Sequence, residues 1–400
     1  MRKLVKDALG QSSFTSDSEQ HSIADKPVIP RLQHTLGISA SLPPLECATA
    51  LVDLFFENVN SVYYVLDHEE MKQVMAVVYS GGLLHATIGD RNRDIAFVNA
   101  ICAVGTFFTK QPDLSVGDGM HYFDTARTMM EDVFESADFW SVRLLLLFAL
   151  YMQYAAKRNS SWTYVGLAIR VAESLGLHRI SPVEYQANMD LERRRRLVFW
   201  SLYSLDRFTG CSLGRPLAIE DENCNDPVFS MALTDDFLLD SQCSSDQPDI
   251  IHQIHQLAAK VRLHVIIGHI VKIVYLKRSI SRDVTESLSD ELKTWWKSLP
   301  ACASLNNGTN AAIVHLHMTY LHAVTLLTRP FLQRVVEASI EDSIGDASCK
   351  CKRRSVSRSN VKRKMLRYAG ACVLVAERTV ALAHRMRTKG NLPKNDASLM

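Results

Sequence analysis

The sequence lacks the residue spacings that mark the common chemistries. Its nine cysteines, Cys47, Cys102, Cys211, Cys224, Cys243, Cys302, Cys349, Cys351 and Cys372, are scattered and odd in number. That argues against a disulfide framework and for reduced thiols. Only Cys349 and Cys351 lie close together, among Lys350, Lys352, Arg353 and Arg354. A closed zinc site needs four ligands and this segment offers two, so no metal is expected there. The opening residues, Met1 to Asp7, carry no apolar segment of the signal-peptide kind. No run of about 18 apolar residues stands out, so no membrane span is expected. The sequons at Asn159 and Asn307 carry no weight without secretion. An excess of one charge is missing too: 45 Lys and Arg face 43 Asp and Glu, a net charge of +2. The chain is therefore no overall basic coat for nucleic acid.

What is present is apolar periodicity. Hydrophobic residues make up 47% of the 400 residues, enough for a substantial core. Segment after segment repeats at helical spacing, with no period-two alternation and no repeat of fixed length. The expected fold is all-α, an irregular multi-helix bundle rather than a solenoid. Residues 1–40 read as a disordered arm, with a short helix conceivable at Lys3 to Leu9. Helices are expected from Ala48 to Val59, Glu69 to Tyr79, Asp94 to Phe108 and Gly117 to Phe134, with Val62 to Asp67 extended or in a turn. The apolar helix Ser141 to Ala156 reads as central. Later helices are expected over 250–280, 283–299, 311–328 and 365–387.

The densest patterning lies between 162 and 216. Trp162, Val165, Ile169, Ala172 and Leu175 form one helical stripe. Gly176 suits the left-handed position that ends such a helix, and Pro182 blocks continuation. A second helix begins near Asp190, with Leu191, Val198, Leu202, Leu205 and Phe208 inward, and is expected to end before Gly210.

Within this stretch Trp162, Gly166, Ala168, Arg170 and Ala172 lead into Leu175-Gly176-Leu177-His178-Arg179. Glu192 and the run Arg193, Arg194, Arg195 and Arg196 precede Phe199-Trp200, Leu205-Asp206-Arg207 and Leu213-Gly214-Arg215-Pro216. This ordered set resembles the central regulatory domain, or middle homology region, of fungal zinc-cluster transcription factors. The acidic loop from Ile219 to Pro227, the Trp295-Trp296 helix end before Pro300, and Leu327-Thr328-Arg329-Pro330-Phe331-Leu332 extend the likeness over residues 42 to 385. Cys211 departs from it, standing where the family often has Ser.

The resemblance implies a regulatory domain over 41–338 and 365–390, interrupted by a disordered basic insertion at 339–364. It implies a nuclear protein that modulates DNA-templated transcription without catalysing a reaction and without a cofactor. The partners it implies are co-regulator proteins, full-length transcription factors or a small-molecule inducer. DNA and zinc binding are implied by the family alone, because the six-cysteine spacing that holds two zinc ions is not found in these 400 residues.

Other readings compete. Gly210-Cys211-Ser212-Leu213-Gly214 matches a nucleophile elbow, which would make Ser212 a hydrolase serine. The elbow needs a strand before the serine, and a long helix is expected there instead. A helical scaffold unrelated to transcription is the other alternative. His252 and His255, and His315, His317 and His322, read as ordinary helix histidines. The arginine run reads as structural, with Glu192 pairing Arg196 at i,i+4. Asp206 reads as buried against Arg195, Arg170 or Arg215. Lys350, Lys352, Arg353 and Arg354, then Lys362, Arg363 and Lys364, form two basic clusters of the kind seen in bipartite nuclear localisation signals.

Overall fold

The apolar periodicity condenses into helices because each stripe needs another stripe to cover it. A computed structural model describes residues 42–80, 88–109, 116–179, 188–226, 228, 248–276, 281–299, 303, 310–345 and 358–389. Among them are twelve α-helices and no strand. The expected arm at 1–40, including Lys3 to Leu9, lies outside the described residues.

Helix α1 (Leu45–Phe55) starts behind Pro44 and buries Ala48, Leu51, Val52 and Phe55. It loosens into a π-helical turn, Phe56–Asn60. Asn60 then shapes the extended segment that follows. Its side-chain oxygen accepts from the Val65 and Leu66 amides at 2.9 and 3.3 Å, and its amide donates to Leu66 O at 3.0 Å. A buried strap, Val62 to Leu66, thus keeps its polar backbone satisfied without a sheet.

Helices α2 (His68–Tyr79), α3 (Ile88–Gly105), α4 (Val116–Arg127), α5 (Met130–Ser136) and α6 (Phe139–Tyr154) build the first half. The single helix expected over 117–134 is broken. Thr128 Oγ1 donates to Thr125 O at 2.7 Å and Thr125 Oγ1 to His121 O at 3.0 Å, and such local bonds compete with the helical ladder. Asp138 caps α6 by accepting from the Ser141 amide at 2.9 Å. From Ser141 to Gln153, α6 is buried at every position but Arg143, which is the central role expected of it. Helix α3 crosses α1 at Gly105, where a Cβ would stand 2.4 Å from Leu51 O.

Helices α7 (Arg158–Ser174) and α8 (Met189–Leu213) follow, then α9 (Pro248–Ile270), which ends in a second π-helical turn, Val271–Leu276. Ser281 caps α10 (Arg282–Lys297). The last two, α11 (Ala311–Gly345) and α12 (Arg358–Lys389), are the longest. Packing runs α1 on α3, α3 on α6, α6 on α7, α7 on α8, α8 on α9, α9 on α11 and α11 on α12. Helix lengths from 7 to 35 residues preclude a repeating pair. A separate core forms where α9, α10 and α11 meet, around Leu263, Ile266, Leu292, Trp295, Leu316 and Leu327.

Helix α11 corrects one expectation. It was expected to close near Pro330, but it runs unbroken through that proline to Gly345. Proline lacks the amide that would bond the carbonyl four residues back, here Leu326 O. Tyr275 Oη, from the second π turn, donates to that carbonyl at 2.8 Å. Residues Ala311–Ile340 are also long and apolar enough to cross a membrane, a run the sequence reading did not pick out. More than half of the most apolar 18-residue window within it is buried inside the bundle. Helix also enters both flanks of the 339–364 segment: 339–345 belong to α11, 358–364 to α12, and 346–357 lie outside the described residues.

Tyr275→Phe should therefore destabilise the chain by about 1–2 kcal/mol, the cost of one buried carbonyl left without a donor. Pro330→Ala supplies the missing amide and should cancel most of that loss. Urea unfolding of both single variants and the double variant measures the coupling, and strictly additive effects would sink this account.

Candidate functional site

The family-like stretch forms the α7–α8 pair and the chain that folds back beneath it. Helix α7 ends with Gly176 at φ +73°. The Leu177 amide donates to Ala172 O at 2.9 Å and the Gly176 amide to Glu173 O at 3.0 Å, the paired bonds of a glycine-terminated helix. Arg195 Nη2 takes one more end carbonyl, Leu175 O, at 2.8 Å. Trp162 lies under the Arg215 guanidinium, 4.7 Å from its ring centre, and Arg215 Nη2 donates to Asn159 Oδ1 at 2.8 Å. Gly166 has open space around it. Arg170 is solvent-facing, 81% exposed, beside Glu173. His178 is half-buried and Arg179 exposed.

Helix α8 starts under the Asn188 cap and runs to Leu213, with Gly214 left-handed at φ +63°. It does not stop before Gly210. That glycine sits inside the helix, where a Cβ would meet Leu217 Cδ2 at 2.7 Å; its lack of a side chain lets the segment after Pro216 fold back closely. Leu191, expected inward, is 39% exposed. Val198, Leu202 and Leu205 are buried as expected.

The four arginines fan out to separate elements. Arg194 Nε donates to Asp67 Oδ2 at 2.7 Å, and Arg193 lies 3.7 Å from the same oxygen. Tyr64 Oη donates to Asp67 Oδ1 at 2.8 Å. The expected Glu192–Arg196 pair is replaced by Glu192–Arg195 at 3.4 Å. Arg196 instead grips Asp226 with two bonds, at 2.6 and 2.8 Å. Asp226 also accepts from Trp200 Nε1 at 2.7 Å and from the Val228 amide at 2.8 Å. A bidentate guanidinium is the strongest neutral-pH grip on a carboxylate, and helix spacing gave no means of finding so distant a partner.

Asp206 is buried, 1% exposed, but not against Arg195, Arg170 or Arg215. Its partner is the adjacent residue, Arg207, at 2.9 Å. Neighbouring helix positions point about 100° apart, so spacing rules do not foresee the pair. It forms because the returning chain gives both side chains one target. Asp206 accepts from the Ala218 and Ile219 amides at 3.0 and 3.2 Å. Arg207 donates to Ile219 O at 2.8 Å and to Asp221 Oδ1 at 2.6 Å. Tyr203 Oη donates to the same Asp221 oxygen at 2.7 Å. Burial pushes the Asp206 carboxyl above the usual range, while Arg207 and the two amides pull it back.

A second polar cluster escaped sequence reasoning, which passed over Lys260 and His264. Lys260 is 3% exposed. Its Nζ donates to Val62 O at 3.0 Å and stands 3.4 Å from the Tyr63 ring centre. His264 Nδ1 donates to Lys260 O at 2.9 Å, four residues back on α9, and its Nε2 is buried without a partner. From α11, His315 Nε2 lies 3.4 Å from Tyr63 Oη. Burial drives the lysine and both histidines far below their ordinary values. The only sequence signal was a lysine and a histidine at i,i+4 on the apolar stripe of α9.

Ser212 lies in the last turn of α8, after an unbroken helix, so the nucleophile-elbow geometry is not formed. The described cysteines, Cys47, Cys102, Cys211, Cys224 and Cys372, are all free. Among the described residues no three of His, Cys, Asp and Glu converge to hold a metal ion. The zinc that the family resemblance implies therefore has no fitting donor set among the described residues. Lys350, Lys352, Arg353 and Arg354 lie outside the described residues. Lys362, Arg363 and Lys364 fall on the first turns of α12, with Arg363 exposed.

Asp206→Ala should lower unfolding free energy by about 3–5 kcal/mol, since it takes one of two carboxylates from a buried guanidinium and the acceptor from the Ala218 and Ile219 amides. A loss under about 1 kcal/mol by urea titration would contradict the burial. The histidines set a pH dependence. Their folded-state values lie below the unfolded value of about 6.5. Above that pH neither state binds protons; below it the unfolded chain takes protons that the folded chain refuses. Stability should thus fall as pH drops from about 7.5 to 5.5, by up to about 1.4 kcal/mol per pH unit for each histidine. His264→Phe should flatten the profile, although the half-buried His269–Glu291 pair, in which the carboxylate raises the histidine, works the other way.

Comparison with known proteins agrees with this architecture. The family profile described as "Fungal specific transcription factor domain" matches residues 52–297. Filamentous growth regulator 27 of Candida albicans is 27% identical over 82% of this chain and 42% of its own length. Activator of stress genes 1 of Saccharomyces cerevisiae is 27% identical over 58% of this chain and 26% of its own. An uncharacterized transcriptional regulatory protein of Schizosaccharomyces pombe is 26% identical over 73% and 37%. The chain thus spans well under half the length of these curated relatives. No solved structure matches. With the profile lying across the α1–α10 bundle and its arginine-held α7–α8 pair, the chain belongs to the fungal specific transcription factor domain family.

Proposed function

We propose that this chain is the regulatory and interaction region through which a fungal transcription factor tunes transcription in the nucleus. It catalyses no reaction. It acts by engaging co-regulator proteins or full-length factors, and by responding to a small-molecule inducer. The observation that supports this best is the fate of the α8 arginines. Arg193, Arg194, Arg195 and Arg196 are all engaged with Asp67, Glu192, Asp226 and the α7 end carbonyl. A helix that reads DNA keeps such side chains free for phosphates and base edges.

DNA contact by this chain alone then falls to the basic clusters at 350–364. Such a patch neutralises a handful of phosphates, giving weak and steeply salt-dependent binding without sequence preference. The same clusters, Lys350, Lys352, Arg353, Arg354, Lys362, Arg363 and Lys364, serve nuclear import.

Fused to a heterologous DNA-binding domain, the chain should change transcription of a reporter in a fungal host; an unchanged reporter would falsify the regulatory reading. The purified chain should show no sequence-specific DNA binding at about 150 mM salt. Replacing the seven basic residues by Ser should remove residual binding and shift a fluorescent fusion out of the nucleus. Tight, sequence-dependent binding that survives those replacements would assign DNA recognition to the helical domain instead.

A further inference from the structure

The cluster under the 61–66 strap has a chemical character that the fold does not use. It is a set of basic side chains beside one phenol. Lys260 and His264 come from α9, His315 and His322 from α11, Arg207 from α8 and Tyr63 from the strap. Electrostatic coupling links them: Lys260, Arg207 and His322 each oppose protonation of His264, and Lys260 and His264 oppose that of His315. Tyr154, at the end of α6, is the further titratable group that faces Tyr63. Asp206 and Asp221, which lie against Arg207, are committed to it. Among the described residues no carboxylate pairs with Lys260 or with the two histidines.

Hydrogen-bond accounting fixes which atoms await a partner. His264 Nδ1 faces a carbonyl, Lys260 O, so it must carry the ring proton. His264 Nε2 is then a lone pair, buried, and no described donor reaches it. His315 Nδ1 lies 3.3 Å from Thr319 Oγ1, whose own hydroxyl proton goes to His315 O at 2.7 Å. Nδ1 is therefore the donor there too, and His315 Nε2 accepts from Tyr63 Oη across a long 3.4 Å. His322 Nε2 is a further buried ring nitrogen without a partner. Lys260 makes one hydrogen bond, to Val62 O, from a group with more capacity than that. A buried lone pair without a donor is costly, and a buried lysine without an acid is costlier than a hydrophobic residue of the same shape.

The geometry points to a binding site for a small organic acid, held between Tyr63, Lys260, His264 and His315. An acid supplies both things the cluster is short of. Its proton goes to His264 Nε2 or to the Lys260 amine, and its carboxylate becomes the counter-ion of the cation so formed. One proton moves from the ligand or from solvent to a protein base, and no bond other than those to that proton is made or broken. One π-helical turn, Phe56–Asn60, leads into the strap at the site, and a second, Val271–Leu276, continues α9 beyond it. Such turns favour functional positions, because their widened backbone shifts side chains out of helical register. Gln253 Nε2 adds a bond to Asn60 O at 2.7 Å, so α9 holds the strap at two points.

This inference rests on the regulatory reading only for its consequence, that occupancy changes transcription; binding itself is separable. The full chain is titrated with butyrate and with succinate, and with butyramide as the uncharged control. Either acid should raise the melting temperature and give heat whose dependence on buffer ionisation reports uptake of protons as pH rises above the ligand's own titration range. Butyramide should do neither. With histidine labelled with nitrogen-15, the acid should move the Nε2 resonance of His264 from the lone-pair to the protonated position. Lys260→Met should stay folded, lose no more stability than its single bond to Val62 O contributes, and bind about tenfold more weakly, the loss of one charge-assisted bond. A Lys260→Met that unfolds, or that binds the acid as tightly as the parent, overturns the proposal. Equal response to acid and amide, or no response and unchanged histidine resonances at millimolar acid, overturns it as well. The reporter fusion separates the two ideas: regulation without acid binding removes only this site, and acid binding with a silent reporter removes only the regulatory reading.

Discussion

The fold-back beneath α8 depends on the guanidinium of Arg207. It is 2% exposed, so water cannot satisfy it, and Asp206, Asp221 and Ile219 O must do so together. These three acceptors come from the helix itself and from the chain about a dozen residues later. Satisfying one cation thus closes the loop through Pro216 and sets the direction in which the chain leaves α8. Asp226 repeats the arrangement one layer away, with Arg196 and Trp200. Paired in this way the charges hold the fold together; with one member deleted, the remaining one opposes it.

Interaction of this kind is specific in geometry and poor in sequence signal, which decides what could be read in advance. The helices were legible because their stripes repeat at a fixed period: α6, α7, α9 and α10 lie close to where their apolar residues place them. The burial of Asp206 was legible from its position among Leu202, Leu205 and Phe199. Its partner was not, because the answer lay in the immediate neighbour and in a loop whose path the sequence does not state. Arg196 shows the same limit, since Asp226 is thirty residues away and Glu192 was the local choice. The basic cluster at Lys260 and His264 was missed for a different reason. On an apolar helix a lone lysine and a lone histidine look like surface residues until the strap from another part of the chain is laid across them.

Proline in α11 shows how a local rule can be overruled at small cost. A helix interior tolerates Pro330 when another group takes over the bond its nitrogen cannot make. Tyr275 does so because the π turn at the end of α9 sets its ring beside Leu326. The sequence signal for a break was sound; the tertiary bond that removes its penalty lay outside the reach of local reading.

The strap at 61–67 has a consequence of its own. It is gripped at Asp67 by Arg194 of α8 and at Val62 by Lys260 of α9, while Asn60 braces it from within. Arg194 of α8 and Lys260 of α9 are therefore joined through the six residues of backbone from Val62 to Asp67. Thermodynamic linkage is reciprocal: a docking event on the arginine side that loosened the grip on Asp67 and so shifted proton uptake at Lys260 would itself be shifted by that proton through the same free energy, along extended backbone and not along a helix.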